Sequence, residues 1–84
     1  MIKKIKITEA DLQTTCPVET AIERETGCDS AVADYDCIVM MPTADKKTRV
    51  VLNTTKSLAD FLMAFDAGEN VEPIEFEIEY EQWN

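Results

Sequence analysis

The chain has 84 residues, of which 45% are apolar and 30% charged, and 17 acidic against 8 basic side chains give a net charge of −9. This composition predicts one folded domain over residues 1–84 and excludes a disordered chain, because the apolar fraction is high and only 2 residues are Gly and 3 Pro. The absence of histidine excludes a histidine base, and the negative charge argues against direct binding to nucleic acid or to an anionic membrane.

The first half of the chain predicts a strand, a helix and a second strand. Residues 2–8 alternate isoleucine with lysine, which is typical of a half-buried strand. Pro17 is tolerated in the first turn of a helix over residues 16–26, and Gly27 can close that helix in the left-handed conformation. The apolar and β-branched residues of 31–41 predict one continuous second strand.

The second half predicts a hairpin, a helix and a final strand. The polar residues 43–47 connect to a third strand over 49–53. Ser57 and Asp60 have the spacing of a capping box, and apolar residues then repeat at helical spacing until a glycine ends the run. Residues 73–81 alternate strictly between apolar residues and glutamate, which predicts a fourth strand.

The order β-α-β-β-α-β predicts an α+β, ferredoxin-like fold, in which two helices cover one face of a four-stranded antiparallel sheet. With the usual strand order 4-1-3-2, the fourth strand is an edge beside the first, and the second strand is the opposite edge. The other face of the sheet stays open, which leaves room for a homodimer. Trp83 is expected either to cap the core or to form an exposed contact.

The negative charge is concentrated in the last third of the chain. Residues 1–56 hold nine acids and all eight bases, whereas residues 57–84 hold eight acids and no base. The glutamates of the last strand are expected to form a row on the open face at intervals of about 6.6 Å, continued by the acids before it. The predicted partner-binding residues are Asp66, Glu69, Glu72, Glu75, Glu77, Glu79 and Glu81.

A structural role for the same row is also predicted. Lys4 and Lys6 of the first strand would face the glutamates and close cross-strand ion pairs, and charges on an edge strand discourage aggregation. On the far edge, Asp34 and Asp36 would flank Arg49.

Sites for chemistry are sparse in this sequence. Cys16 at a helix start is either a reactive thiolate or a buried small hydrophobe, and the second interpretation is favoured. Asp34 and Asp36 supply too few oxygens for a divalent metal, so no metal, cofactor or catalytic residue is predicted. Three cysteines without CxxC spacing and the lack of a signal-like N-terminus favour free thiols and a cytoplasmic location.

Two segments carry a further pattern: Cys-Pro-Val-Glu-Thr-Ala-Ile-Glu-Arg at 16–24 and Phe-Leu-Met-Ala-Phe-Asp-Ala-Gly-Glu-Asn-Val-Glu-Pro-Ile-Glu-Phe at 61–76. Both resemble a group of small phage and prophage proteins with a Cys-Pro-apolar helix start and a C-terminal Phe-Asp-x-Gly-x-x-Val-x-Pro-x-x-Phe motif. The sequence departs from that group at Ile74, where Phe is frequent, and in its long acidic alternation. The resemblance implies a phage origin and assigns no role to any residue.

By analogy with other small acidic phage proteins, the resemblance favours an anti-CRISPR or anti-restriction inhibitor. The leading hypothesis is a non-enzymatic, phage-encoded protein in the host cytoplasm that binds a basic, nucleic-acid-handling host protein through a carboxylate face mimicking phosphates. The alternative is an interaction or assembly module whose acidity serves solubility only. A third hypothesis is a thiol-dependent activity at Cys16.

Overall fold

The computed structural model describes residues 1–45 and 48–81, and its elements follow one another in the order β-α-β-β-β-α-β. A short 3-10 helix at Asp11–Gln13 precedes the first α-helix. The strands are β1 (Ile2–Lys6), β2 (Ser30–Ala33), β3 (Cys37–Met41), β4 (Val50–Asn53) and β5 (Glu75–Glu79), and the helices are α1 (Pro17–Thr26) and α2 (Lys56–Asp66). The predictions for Trp83 and for the end of the hairpin loop at 46–47 lie outside the described residues.

The five strands form two antiparallel sheets. β1 pairs with β5, and the other sheet has the order β2-β3-β4. The α+β class, the two helices and the pairing of the first strand with the last are therefore confirmed. The predicted single four-stranded, ferredoxin-like sheet is replaced by these two sheets, since in residues 1–45 and 48–81 no ladder joins β1 to the three-stranded sheet.

The predicted second strand breaks at residues 34–36 into a tight turn between β2 and β3. The Asp34 side chain accepts the backbone N–H of Tyr35 at 2.8 Å, and the Asp34 N–H donates to the Cys37 carbonyl at 2.9 Å. Aspartate favours such turns because its carboxylate competes with the strand ladder for backbone donors. The two aspartates thus lie in a turn near Thr54, and the prediction that they flank Arg49 on a strand edge is wrong.

Both helices begin and end for local reasons. Pro17 occupies the first turn of α1, and Gly27 ends it with φ 74°, as predicted. For α2 the predicted capping box is wrong, because the N-cap is Thr55, whose hydroxyl accepts the Leu58 N–H at 3.3 Å. Asp60 instead forms an ion pair with Lys56 at 3.0 Å, one turn earlier.

The core lies between the helices and both sheets. Ile5 of β1, Ile22 of α1, Ile38 of β3 and Leu58 of α2 are all essentially inaccessible to solvent. The rest of the buried apolar cluster comprises Ile7, Val18, Ala21, Cys28, Ala31, Met40, Phe61, Leu62, Phe76, Ile78 and Tyr80. Packing of both sheets against this one cluster holds together two sheets that share no strand ladder in the described residues.

A buried carboxylate joins α1 to the end of β1. Asp11, 3% exposed, accepts the Thr8 N–H at 2.8 Å and the Arg24 guanidinium at 2.6 Å. Arg24 also donates to the Lys6 carbonyl at 2.7 Å. Burial alone raises the pKa of Asp11, but the hydrogen bonds from Arg24 and Thr8 outweigh it, so the pKa lies below its usual value.

The outer edge of β2 is closed by two glutamates of α1. The Glu23 carboxylate accepts the Ala31 N–H at 3.0 Å, and the Glu19 carboxylate accepts the Ala33 N–H at 2.9 Å. A further strand pairing with β2 would need these two amides as hydrogen-bond donors. Helix α1 therefore covers the core and also provides acceptors for the outward N–H groups of the sheet edge.

Candidate interaction surfaces

The outer face of the β1–β5 sheet carries the predicted glutamate row. Glu75, Glu77 and Glu79 are exposed, whereas Phe76 and Ile78 between them are buried, as strict alternation requires. Glu81 follows the strand and is also exposed. We call these four glutamates the acidic row.

Two lysines lie on the same face as the acidic row. In the register of the pair, Lys4 is opposite Glu77 and Lys6 is opposite Glu75. One ion pair forms, diagonally, between the Lys4 ammonium and the Glu75 carboxylate at 3.8 Å, with both side chains well exposed. The predicted cross-strand pairing is therefore confirmed for Lys4, whereas Lys6 forms no ion pair within the described residues. An ion pair at such exposure contributes little to stability.

The far end of the acidic row is less compensated. Glu79 lies opposite Ile2, which is itself exposed, and within the described part of the chain neither Glu79 nor Glu81 forms an ion pair. The Met1 ammonium reaches this end, but it donates to the Tyr80 carbonyl at 2.7 Å and not to a carboxylate. The acidic row therefore presents its net negative charge toward its C-terminal end.

The other three predicted partner-binding residues precede β5, at the end of α2 and in the connection that follows it. Glu69 and Glu72 are exposed in the connection between α2 and β5. Asp66, at the end of α2, accepts the Tyr35 hydroxyl at 2.6 Å. This bond joins the end of α2 to the turn between β2 and β3, and it raises the pKa of Tyr35 because it stabilises the protonated phenol.

A small groove of about 80 Å³ lies beside the Tyr35–Asp66 hydrogen bond. Cys16, Leu62 and Phe65 contribute to its lining. A volume of this size holds at most a few water molecules and is far smaller than a ligand pocket.

Cys16 is neither a buried hydrophobic residue nor an activated thiolate, the two interpretations that its sequence position allowed. The thiol is exposed, so the favoured expectation of a buried residue is wrong, and Cys28 is the cysteine in the core. Partial desolvation raises the pKa of Cys16, and a hydrogen bond to Glu19 together with the charges of Asp66 and Glu23 raises it further. The thiolate is thus disfavoured despite the helix start.

We therefore expect Cys16 to react slowly at neutral pH. The alkylation rate of Cys16 in the folded protein, followed by peptide mass spectrometry across a pH series, should have its midpoint above that of a free cysteine. In the Glu19→Gln variant the midpoint should move down, because the carbonyl oxygen of glutamine can still accept the Ala33 N–H while the negative charge is lost. A wild-type midpoint below the free-cysteine value would contradict this electrostatic account and revive the thiolate hypothesis.

The outer face of the three-stranded sheet is a second exposed surface, which the sequence interpretation missed. Val32 of β2 is opposite Val39 of β3, which in turn is opposite Val51 of β4. Val32 is 50% exposed and Val51 is 63% exposed. The sequence interpretation missed this valine row because it predicts one strand over residues 31–41. The Asp-Tyr-Asp turn at 34–36, which folds this segment into a hairpin, is the sequence feature that could have indicated the row.

The geometry defines a small α+β protein with two exposed sheet surfaces, one acidic and one apolar. Comparison with protein-family models, with curated proteins and with solved structures gave no match. Among the described residues no three metal-ligating side chains come together, and neither helix there is long and apolar enough to cross a bilayer.

Proposed function

We propose that this protein is a non-enzymatic binding protein that engages a basic, nucleic-acid-binding protein through the acidic row. The observation that carries the proposal is the exposure of four glutamates at alternate positions along one strand and its extension, held in place by buried aromatic and aliphatic residues between them. The backbone positions that carry these carboxylates are spaced at about 6.6 Å along the strand and are already ordered before binding.

Charge distribution supports this choice of partner. The eight acids after residue 56 meet no base in the same part of the sequence, so the field of the acidic row adds to that of Glu69 and Glu72. A negative field of this kind accelerates encounter with a positively charged groove, and it repels nucleic acid itself. The protein would occupy the groove and exclude the nucleic acid by competition.

A phage origin with a host defence or nucleic-acid-handling system as the target is part of the same proposal. It is supported by the resemblance of residues 16–24 and 61–76 to small phage proteins. An anti-CRISPR or anti-restriction inhibitor working in the host cytoplasm is the member of that class that best fits an exposed acidic surface.

The test is capture of partners from a nuclease-treated bacterial lysate by immobilised protein, followed by mass spectrometry. The triple variant Glu77→Gln, Glu79→Gln, Glu81→Gln removes three charges without changing side-chain size. We expect it to weaken capture of a nucleic-acid-binding partner on the order of tenfold or more, and to flatten the fall of wild-type binding with rising salt.

A matched control removes the same number of charges elsewhere. Glu9→Gln, Asp29→Asn and Asp36→Asn alter exposed carboxylates outside the acidic row, so net charge is equal in the two triple variants. Capture should survive in this control. An equal loss of capture in both variants would mean that net charge, and not the acidic row, determines binding. Unchanged capture in the Glu77→Gln, Glu79→Gln, Glu81→Gln variant would refute the proposal.

The exposed valine row favours a second candidate function, an interaction or assembly module with apolar contacts. Val32 and Val51 are exposed on the same sheet face, and an exposed apolar patch is typical of a protein interaction site. In that case partner binding would be insensitive to salt and to the glutamate variant.

A further inference from the structure

The four outer sheet edges differ in how they are protected. The edge of β2 is satisfied by Glu19 and Glu23, and β5 carries glutamate at alternate positions. The edge of β1 receives Arg24 at the Lys6 carbonyl. In contrast, β4 reads Val-Val-Leu-Asn and contains no charged residue. It is the edge of the described structure that lacks the usual protection against strand pairing.

The backbone of β4 is oriented for pairing on its outer side. The Thr54 N–H donates to the Asp36 carbonyl at 3.1 Å, so even-numbered residues of this segment direct their hydrogen-bonding groups toward β3. In an antiparallel ladder, successive residues alternate in this respect. Val51 and Asn53 therefore direct their N–H and C=O groups away from β3, and within residues 1–45 and 48–81 these groups have no partner.

The side chains at this edge are apolar as well. The valine row crosses all three strands in register and ends at Val51, its most exposed member. Pairing a further strand onto β4 would extend the row and shield Val51 from water, so the backbone and the side chains favour the same contact.

We propose that a second copy of this chain occupies the β4 edge, pairing antiparallel about a two-fold axis at Val51. Such an interface is self-complementary, because the outward groups of Val51 in one copy meet the same groups in the other. The two three-stranded sheets become one six-stranded sheet, and the valine rows of both copies join into one.

Local charge does not oppose a second copy at this edge, although the whole chain carries a net charge of −9. The charged residues that flank β4 in the described sequence are cations, Arg49 and Lys56, whereas the acidic row lies on the other sheet. With Val51 opposite its symmetry mate, the two Arg49 residues are four positions apart, roughly 13 Å, which exceeds the Debye length of about 8 Å at physiological salt.

The experiment is sedimentation equilibrium of the whole chain between about 10 μM and 1 mM, because a single strand pairing is a small interface. We expect the mass to rise with concentration toward twice the 9.5 kDa of one chain. Val51→Lys should raise the dissociation constant at least about tenfold, since lysine on an edge strand opposes pairing. A wild type that stays monomeric throughout would overturn the proposal.

Val32→Lys is the matched control, because it changes an equally outward-facing valine of the same row at the edge that α1 closes. It should dimerise like the wild type.

Hydrogen exchange tests the same interface in the wild-type protein, without any substitution. The Val51 and Asn53 amides should become more protected from exchange as protein concentration rises. A dimer that persists in Val51→Lys, or that forms without this protection, would place the interface elsewhere and also overturn the proposal. The triple glutamate variant of the acidic row should dimerise like the wild type. Failure of the dimer proposal can therefore be distinguished from failure of the proposed function.

Discussion

Replacing Asp11 by alanine should lower the free energy of unfolding by about 3 kcal/mol, a large part of the stability available to a domain of this size. The carboxylate is 3% exposed and satisfies both the Thr8 N–H and the Arg24 guanidinium. Its removal leaves the Thr8 N–H without its acceptor and leaves Arg24 with the Lys6 carbonyl in place of an ion pair. Urea unfolding followed by circular dichroism measures the change.

The same carboxylate predicts how stability depends on acid. Because the pKa of Asp11 is lower in the folded protein than in the unfolded chain, its contribution is complete above the unfolded value of about 3.9 and is lost as pH falls through the folded value. The difference in stability between wild type and Asp11→Asn should therefore be largest near pH 7 and shrink below about pH 4. A difference that stayed constant down to pH 2 would mean that the ionised form has no special role.

Opening the β2 edge should have the second large effect. The double variant Glu19→Ala, Glu23→Ala removes both side-chain acceptors from β2 and should lower stability by roughly 1 kcal/mol for each lost hydrogen bond. The larger consequence is self-association, because the Ala31 and Ala33 amides then become available for pairing with other chains. We expect faster hydrogen exchange at these two amides and concentration-dependent aggregation, measured by light scattering.

The double variant Glu19→Gln, Glu23→Gln is the control for this experiment. Glutamine keeps an acceptor oxygen at each position and removes only the charge, so the edge should stay closed and exchange at Ala31 and Ala33 should remain slow. Aggregation of both variants to the same extent would show that charge repulsion, and not hydrogen bonding of the edge, keeps the chains apart.

Several elements could be predicted because their causes are local. The alternation of residues 73–81 assigned the buried and exposed faces of β5, since a strand repeats every two residues. Pro17 and Gly27 marked the ends of α1 through backbone constraints of their own. Two local signals were overlooked: the aspartate turn at residues 34–36, and the Thr8-x-x-Asp11 spacing that stabilises the 3-10 helix.

The candidate site divides in the same way. That Glu75, Glu77 and Glu79 share one exposed face follows from the sequence period alone. The hydrogen bond between Tyr35 and Asp66 could not be predicted in this way, because the two residues are far apart in sequence and meet only in the folded protein. The valine row required the register of two strand pairs, which no single strand encodes.

Backbone preferences and residue period were enough to predict both helices, the first and last strands, the buried face of β5 and the accumulation of negative charge after residue 56. The division of the strands into two sheets, the binding of Arg24 to Asp11, and the closure of β2 but not of β4 by glutamates of α1 became visible only in the folded structure. These contacts join residues distant along the chain, so their geometry is fixed only when both helices pack on the common core.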